Sequence, residues 1–165
     1  MDFSEIYRRY APHVHRFSIY LSGNPALAED LTAETFVHAL CGRTSLRVDT
    51  VKAYLFGITR NLYRDLIGAS GGSYPSPRWP SLPIQPLCPD RAVENQQTFS
   101  AVLKAIQRLP ELQREALVLS MDEDLSYDQI AAILGCSLAA VKVRIHRARL
   151  HLKSDLEAED RTWKT

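Results

Sequence analysis

Apolar positions recur at steps of three and four along most of this chain, and nowhere do they alternate with polar ones as strands require. Phe3, Ile6, Tyr7, Tyr10, Val14 and Phe17 mark a first helix, with a bend expected near Pro12. Asn24-Pro25 supplies a cap and a preset first turn for a second helix running to about Leu40. After a polar break from Gly42 to Asp49, the stripe Val51, Tyr54, Leu55, Ile58, Leu62 and Leu66 predicts a third helix over roughly Thr50 to Ile67. Phe99, Val102, Leu103 and Ile106 mark a helix that ends at Leu109-Pro110, and Leu112 to Leu119 mark the next. The pattern predicts an all-α fold.

Between these groups the periodicity stops. Gly68-Ala-Ser-Gly-Gly-Ser is followed by Pro75, Pro77, Pro80, Pro83, Pro86 and Pro89, a composition in which regular helix cannot persist. Residues 68–91 are therefore expected to link two small helical domains, 1–67 and 92–154, with a charged tail at 155–165. Trp79, Leu82, Ile84 and Leu87 leave open a second use of the linker, docking onto a partner or a domain surface.

The segment from Ser126 to Arg149 reads as two helices around a tight turn. Ser126 caps the first with Gln129 reaching back, Gly135 suits a left-handed terminator, and Ser137 caps the second. Ile130, Ala131 and Leu134 face inward from the first; Leu138, Val141, Ile145, Ala148 and Leu152 do so from the second. The opposite face carries Lys142, Arg144, Arg147, Arg149 and Lys153 with His146 and His151, and no acid lies among them. This is the pattern of a helix-turn-helix, for which duplex DNA is the first ligand to consider; a plain hairpin with a solvated basic face has the same residues. Arg144 is the first choice for a base edge, since a guanidinium makes two hydrogen bonds to guanine, and Val143 suits a thymine methyl. Lys142, Arg147 and Arg149 suit phosphates, with His146 beside them and Arg114 as a further phosphate candidate.

Net charge changes this picture by restricting it. At +1 over 165 residues the chain cannot coat nucleic acid indiscriminately, so DNA contact must come from local patches. Three widely spaced cysteines fit free thiols in a reducing cytosol better than a disulfide framework. The N-terminus has no basic segment followed by an apolar run, and no stretch approaches membrane-spanning length, which points to a cytoplasmic protein. His13, His15, His38 and Cys41 have the residue types of a metal site but not a persuasive spacing. With no phosphate-binding glycine loop or nucleophile elbow either, neither a cofactor, a metal nor an enzymatic activity is expected.

Four segments taken in order, Ala28-Glu-Asp-Leu-Thr-Ala-Glu-Thr-Phe36, Tyr54-Leu-Phe-Gly-Ile-Thr-Arg-Asn61, Leu109-Pro110 with Arg114, and Val141-Lys-Val-Arg-Ile-His-Arg-Ala-Arg149, resemble the bacterial sigma-70 family, in its compact extracytoplasmic-function (ECF) group. The resemblance implies a sigma2-like bundle and a sigma4-like helix-turn-helix domain. It implies that Asp30, Leu31, Glu34 and Phe36 belong to the surface that meets the clamp coiled coil of the largest subunit of core RNA polymerase, with the flap as a further contact. It places Lys52, Tyr54, Phe56, Arg60, Asn61 and Arg64 at the opened minus ten strand, where aromatic faces stack on unpaired bases and cations hold the backbone. The loop Arg43 to Asp49 would read an extruded base, the second domain would read the minus thirty-five duplex, and an anti-sigma factor would hold the chain in check.

The same residues also admit blander roles, with Leu31 and Phe36 as core, Asp30 and Glu34 as solvated charge, and Tyr54 as a buried aromatic. Two other functions share part of the pattern. A stand-alone duplex-binding regulator would need only the second domain, and a sigma-like decoy would bind polymerase without opening DNA. Gly57 and Gly68, at positions often basic in the family, keep the decoy in view.

Overall fold

The computed structural model describes residues 2–42, 50–68 and 94–162. The expected base-reading loop Arg43 to Asp49, almost all of the linker with its four apolar residues, and Trp163 lie outside the described residues. Seven helices follow in order: α1 (Phe3–Ser22), α2 (Pro25–Leu40), α3 (Val51–Gly68), α4 (Glu94–Arg108), α5 (Glu111–Ser120), α6 (Tyr127–Leu134) and α7 (Leu138–Thr162). Among the described residues there is no strand.

Helix α1 continues through Pro12 and ends at Gly23, whose φ of +67° closes the turn while its amide donates to Ile19 O. A side chain there would also collide with α4, since a Cβ would lie 2.7 Å from Gln107 Cδ. Gln107 uses that close approach to donate from Nε2 to Tyr20 O at 2.7 Å. Asn24 Oδ1 then accepts the amides of Ala26 and Leu27, starting α2 as the Asn-Pro pair implies.

Helix α2 packs against both α1 and α3 through Ala28, Leu31, Thr32, Thr35 and Phe36. The Phe36 ring meets Tyr7 edge-on at 4.7 Å and Phe3 at 6.2 Å. Thr35 and Thr59 share a hydroxyl contact of 2.9 Å between α2 and α3, so this polar pair is satisfied inside the core. Leu31 and Phe36, expected on a partner-facing surface, are thus interior residues: they fill the gap that the aromatic stripe of α1 leaves open.

The second module packs α7 across α5 and α6, with Ile130, Ile133, Leu134, Val141, Ile145 and Ala148 buried. Ser126 and Gln129 form the reciprocal capping box: the Gln129 amide donates to Ser126 Oγ at 3.2 Å, and the Ser126 amide donates to Gln129 Oε1 at 3.0 Å. Ser126→Ala should cost about 1 kcal/mol, read as a lower urea midpoint, while Ser126→Asp, which keeps an acceptor, should lose much less. Leu138, expected inward, is exposed because it sits in the first turn of α7, before the helix reaches its neighbours.

The two modules are in direct contact. Helix α3 lies against α6, α1 lies against α4 and α5, and the buried apolar residues of both modules form one continuous cluster.

Candidate nucleic-acid interface

The C-terminal site is built by one turn. Gly135 adopts φ +63°, Ser137 Oγ accepts the Ala140 amide at 3.1 Å, and α6 and α7 meet at 96°, within the range of DNA-binding helix pairs. With Val141, Ile145 and Ala148 committed to the interior, the opposite face of α7 presents Lys142, Val143, His146, Arg147 and Arg149 to solvent, and Lys153 extends the row. Arg144 is half-buried, its Nη1 lying 3.6 Å from Cys136 Sγ. Sulfur is a weak acceptor, so this contact steadies the guanidinium without satisfying it. His151, also exposed, places Nδ1 2.8 Å from Gln113 Oε1 and so ties α7 to α5.

Helix α3 distributes its expected strand-binding residues differently. Tyr54 and Asn61 are half-buried and Arg64 is exposed, but Phe56 is interior, stacked on Phe17 at 4.8 Å. Lys52 and Arg60 are only 6% and 7% exposed. Their positions at the module boundary explain this. Arg60 Nε donates to Glu115 Oε2 at 3.0 Å and its Nη1 to Ile133 O at 3.1 Å. Lys52 Nζ lies 2.8 Å from Asp122 and 2.9 Å from Asp124. Burial works against the Lys52 charge, yet the hydrogen bonds and charges of these two carboxylates outweigh it and raise the Lys52 pKa. Asp124 is held below the usual carboxylate range by its hydrogen bond from Lys52 and by that cation's charge.

Arg114, expected at a phosphate, is occupied internally. Its guanidinium donates to the carbonyls of Ile106, Gln107 and Leu109 at the end of α4, and to Leu21 O and Tyr63 Oη in the first module. An arginine has five N–H donors, and these five bonds use them all.

On α2, Asp30 is exposed and Glu34 half-buried. The apolar surface beside them is formed by Val37 and Leu40, 40% and 60% exposed, in place of Leu31 and Phe36. Sequence reasoning passed over these two; Val37, three residues on from Glu34, shares the acidic side of the helix, and Leu40 is the last residue of α2. Glu115 was passed over as well, although an acid inside Glu115-Ala-Leu-Val-Leu119 has too apolar a setting for a solvated charge. His13 comes within 3.8 Å of Asp122, and burial, aided by the Lys52 charge, lowers its pKa. Among the described residues no group of three or more His, Cys, Asp or Glu side chains is arranged to hold a metal, and no single helix is long and apolar enough to cross a membrane.

Comparison with known proteins connects these two surfaces. Residues 6–71 match the family model for sigma-70 region 2, and residues 99–152 match that for sigma-70 region 4. The chain is 34% identical over 151 residues to the ECF RNA polymerase sigma factor EcfG of Rhodopseudomonas palustris, covering 87% of this chain and 78% of that protein. It is 31% identical over 165 residues to SigM of Bacillus subtilis, covering 93% and 94%. The match to SigE of Mycolicibacterium smegmatis, 33% over 159 residues, covers 94% of this chain and 62% of that longer relative. Among solved structures, RpoE of Bartonella quintana in complex with the anti-sigma factor NepR superimposes with a TM-score of 0.66 at 29% identity, covering 94% of this chain and 97% of that one. CnrH, solved with the cytosolic domain of CnrY, shares the fold with a TM-score of 0.69 at 24% identity, covering 94% and 88%. An interior-facing α2, an aromatic and cationic α3 and a cationic helix-turn-helix therefore stand in the order in which the region 2 and region 4 models match, and the chain belongs to the sigma-70 family, in its extracytoplasmic-function group.

Proposed function

We propose that this chain is a dissociable promoter-specificity subunit of RNA polymerase with no covalent chemistry of its own. The observation that carries the reading is the acid-free, exposed cationic stretch of α7 from Lys142 to Arg149, set at 96° to α6, in a chain whose first module matches region 2. Residues 1–67 grip core polymerase at the clamp coiled coil through the α2 surface of Asp30, Glu34, Val37 and Leu40, with Leu31 and Phe36 supporting it from inside. The same module engages the opened minus ten strand through α3. Residues 92–154 read the minus thirty-five duplex and approach the flap, and residues 68–91 join the two modules. The subunit works in the cytoplasm, where polymerase and chromosome are.

The RpoE relative was solved with an anti-sigma factor, which supports a protein antagonist of that class here. A stand-alone duplex regulator would have no use for a region 2 match over residues 6–71. The decisive experiment combines the purified chain with core polymerase on a promoter library. Specific transcripts with permanganate-reactive thymines are the expected result. Duplex binding without polymerase binding would favour the regulator instead, and polymerase binding without initiation the decoy.

At residue level, Arg144→Ala should cost about 1–3 kcal/mol at one upstream base pair and relax selection there. Lys142→Ala should weaken all duplexes alike and reduce the salt slope by about 1. An unchanged base-preference profile for Arg144→Ala would reject Arg144 as the base reader.

A further inference from the structure

All three cations of α3 that the proposed function assigns to the promoter strand are paired with carboxylates of the other module. Arg60 reaches Glu115, Lys52 reaches Asp122 and Asp124, and Arg64 Nε lies 3.2 Å from Glu115 and 3.7 Å from Glu111. Lys52 to Arg64 spans roughly 18 Å of helix, and carboxylates from α5 and the turn after it face the whole of that length. Glu115 is fully buried, with Oε1 in ion-pair range of Arg64 yet without a hydrogen bond. A strand backbone also presents a row of anionic oxygens, so it needs the same cations and cannot have them while the modules are in contact.

We propose that the acidic edge of the second module, Glu111, Glu115, Asp122 and Asp124, is an internal stand-in for the promoter strand, so that the closed chain is blocked from single-stranded DNA until the modules part. This rests on the reading of α3 as the strand-binding helix. The closed state is well suited to reversal. Desolvation of two charges offsets much of the attraction within a buried pair, so the Arg60–Glu115 contact contributes fit more than depth. Polymerase binding to the exposed face of α2 and duplex binding to the exposed face of α7 would each engage a surface that closure leaves free. If the open form is about 1–10% populated, the apparent affinity for a strand falls roughly 10- to 100-fold below that of a chain held open.

The test uses the full chain and a fluorescein-labelled, thymidine-rich single-stranded oligonucleotide, with binding followed by anisotropy and shape by small-angle scattering. Asp122→Asn/Asp124→Asn and, separately, Glu115→Gln should expand the particle and bind the oligonucleotide about 10- to 100-fold more tightly. Asp124→Asn alone should move the same way with no loss of helicity, since that side chain is 77% exposed and its removal leaves no cavity. Glu123→Gln removes an exposed charge from the same turn and should change nothing. Affinity for a duplex should stay within about twofold in every variant, because the α7 row is outside the contact. Expansion without tighter strand binding, no expansion at all, or an equal gain from Glu123→Gln would each overturn the proposal. Promoter-specific transcription by the wild-type chain alongside any of those results would leave the initiation reading standing and remove only the internal block. If neither the opened variants nor the polymerase complex engages a strand, the reading of α3 fails with it.

Discussion

Phe36→Ala is expected to destabilise the first module by about 3–5 kcal/mol, lowering its thermal midpoint by roughly 12–40 °C. Phe36 is 2% exposed and fits edge-on against Tyr7 and Phe3, so truncation loses the transfer energy of the ring, leaves a cavity between α1 and α2, and removes an aromatic pair worth about 0.5–1.5 kcal/mol. Polymerase binding should fall with the folded fraction and recover below the melting range. Leu40→Ala is the contrasting case. Its side chain is exposed, so stability should stay within about 0.5 kcal/mol while the polymerase complex weakens at all temperatures. Calorimetry on both variants, paired with a polymerase pull-down at two temperatures, separates the roles. A Phe36→Ala chain that melts normally yet fails to bind would return Phe36 to the contact surface.

The contrast between Phe36 and Leu40 marks where the sequence is readable. Local devices were legible because their partners are close in the chain: the Asn24 cap, the Ser126–Gln129 box, the left-handed Gly135 and the Val141, Ile145, Ala148 stripe all appear where the spacing puts them. The caps and the turn depend on residues two to four apart, and the stripe on the helical repeat, so all of them are written in the local sequence. The all-α class and the order of helices follow from the same local signals.

Burial of charge was not legible, because it depends on partners far along the chain. Arg60 finds Glu115 at a separation of 55 residues, and Lys52 finds Asp124 at 72. On α3 both cations stand beside apolar positions that suit a solvated edge equally well, and only docking of the second module distinguishes the two settings. Leu31 and Phe36 were misplaced for a related reason. A motif match gives the region of a partner surface, but which face of its helix turns outward is decided by the aromatic residues of α1.

Arg114 brings local and long-range effects together, and its removal is the second large loss expected. Arg114→Ala deletes all five hydrogen bonds of a half-buried guanidinium. Three of the acceptors are carbonyls at the end of α4, where Ile106 O also takes the Leu109 amide and the helix C-terminus favours a cation nearby. The other two tie this cap to Leu21 and Tyr63 in the first module. Burial raises the Tyr63 pKa, the Arg114 charge and hydrogen bond opposing that shift. Hydrogen bonds to a charged group contribute about 1.5–3 kcal/mol each; water can reach part of this site, so the total loss should be about 3 kcal/mol rather than their sum. Arg114→Lys should recover less than half, because one ammonium cannot reproduce a planar fork facing five acceptors. Urea denaturation checks the stability loss, and a duplex titration over a range of salt checks the role. A phosphate contact at Arg114 would make Arg114→Ala lower the salt slope by about 1 with the midpoint unchanged, whereas a clasp between α4 and the first module predicts the reverse, a lower midpoint with an unaltered slope for the folded fraction.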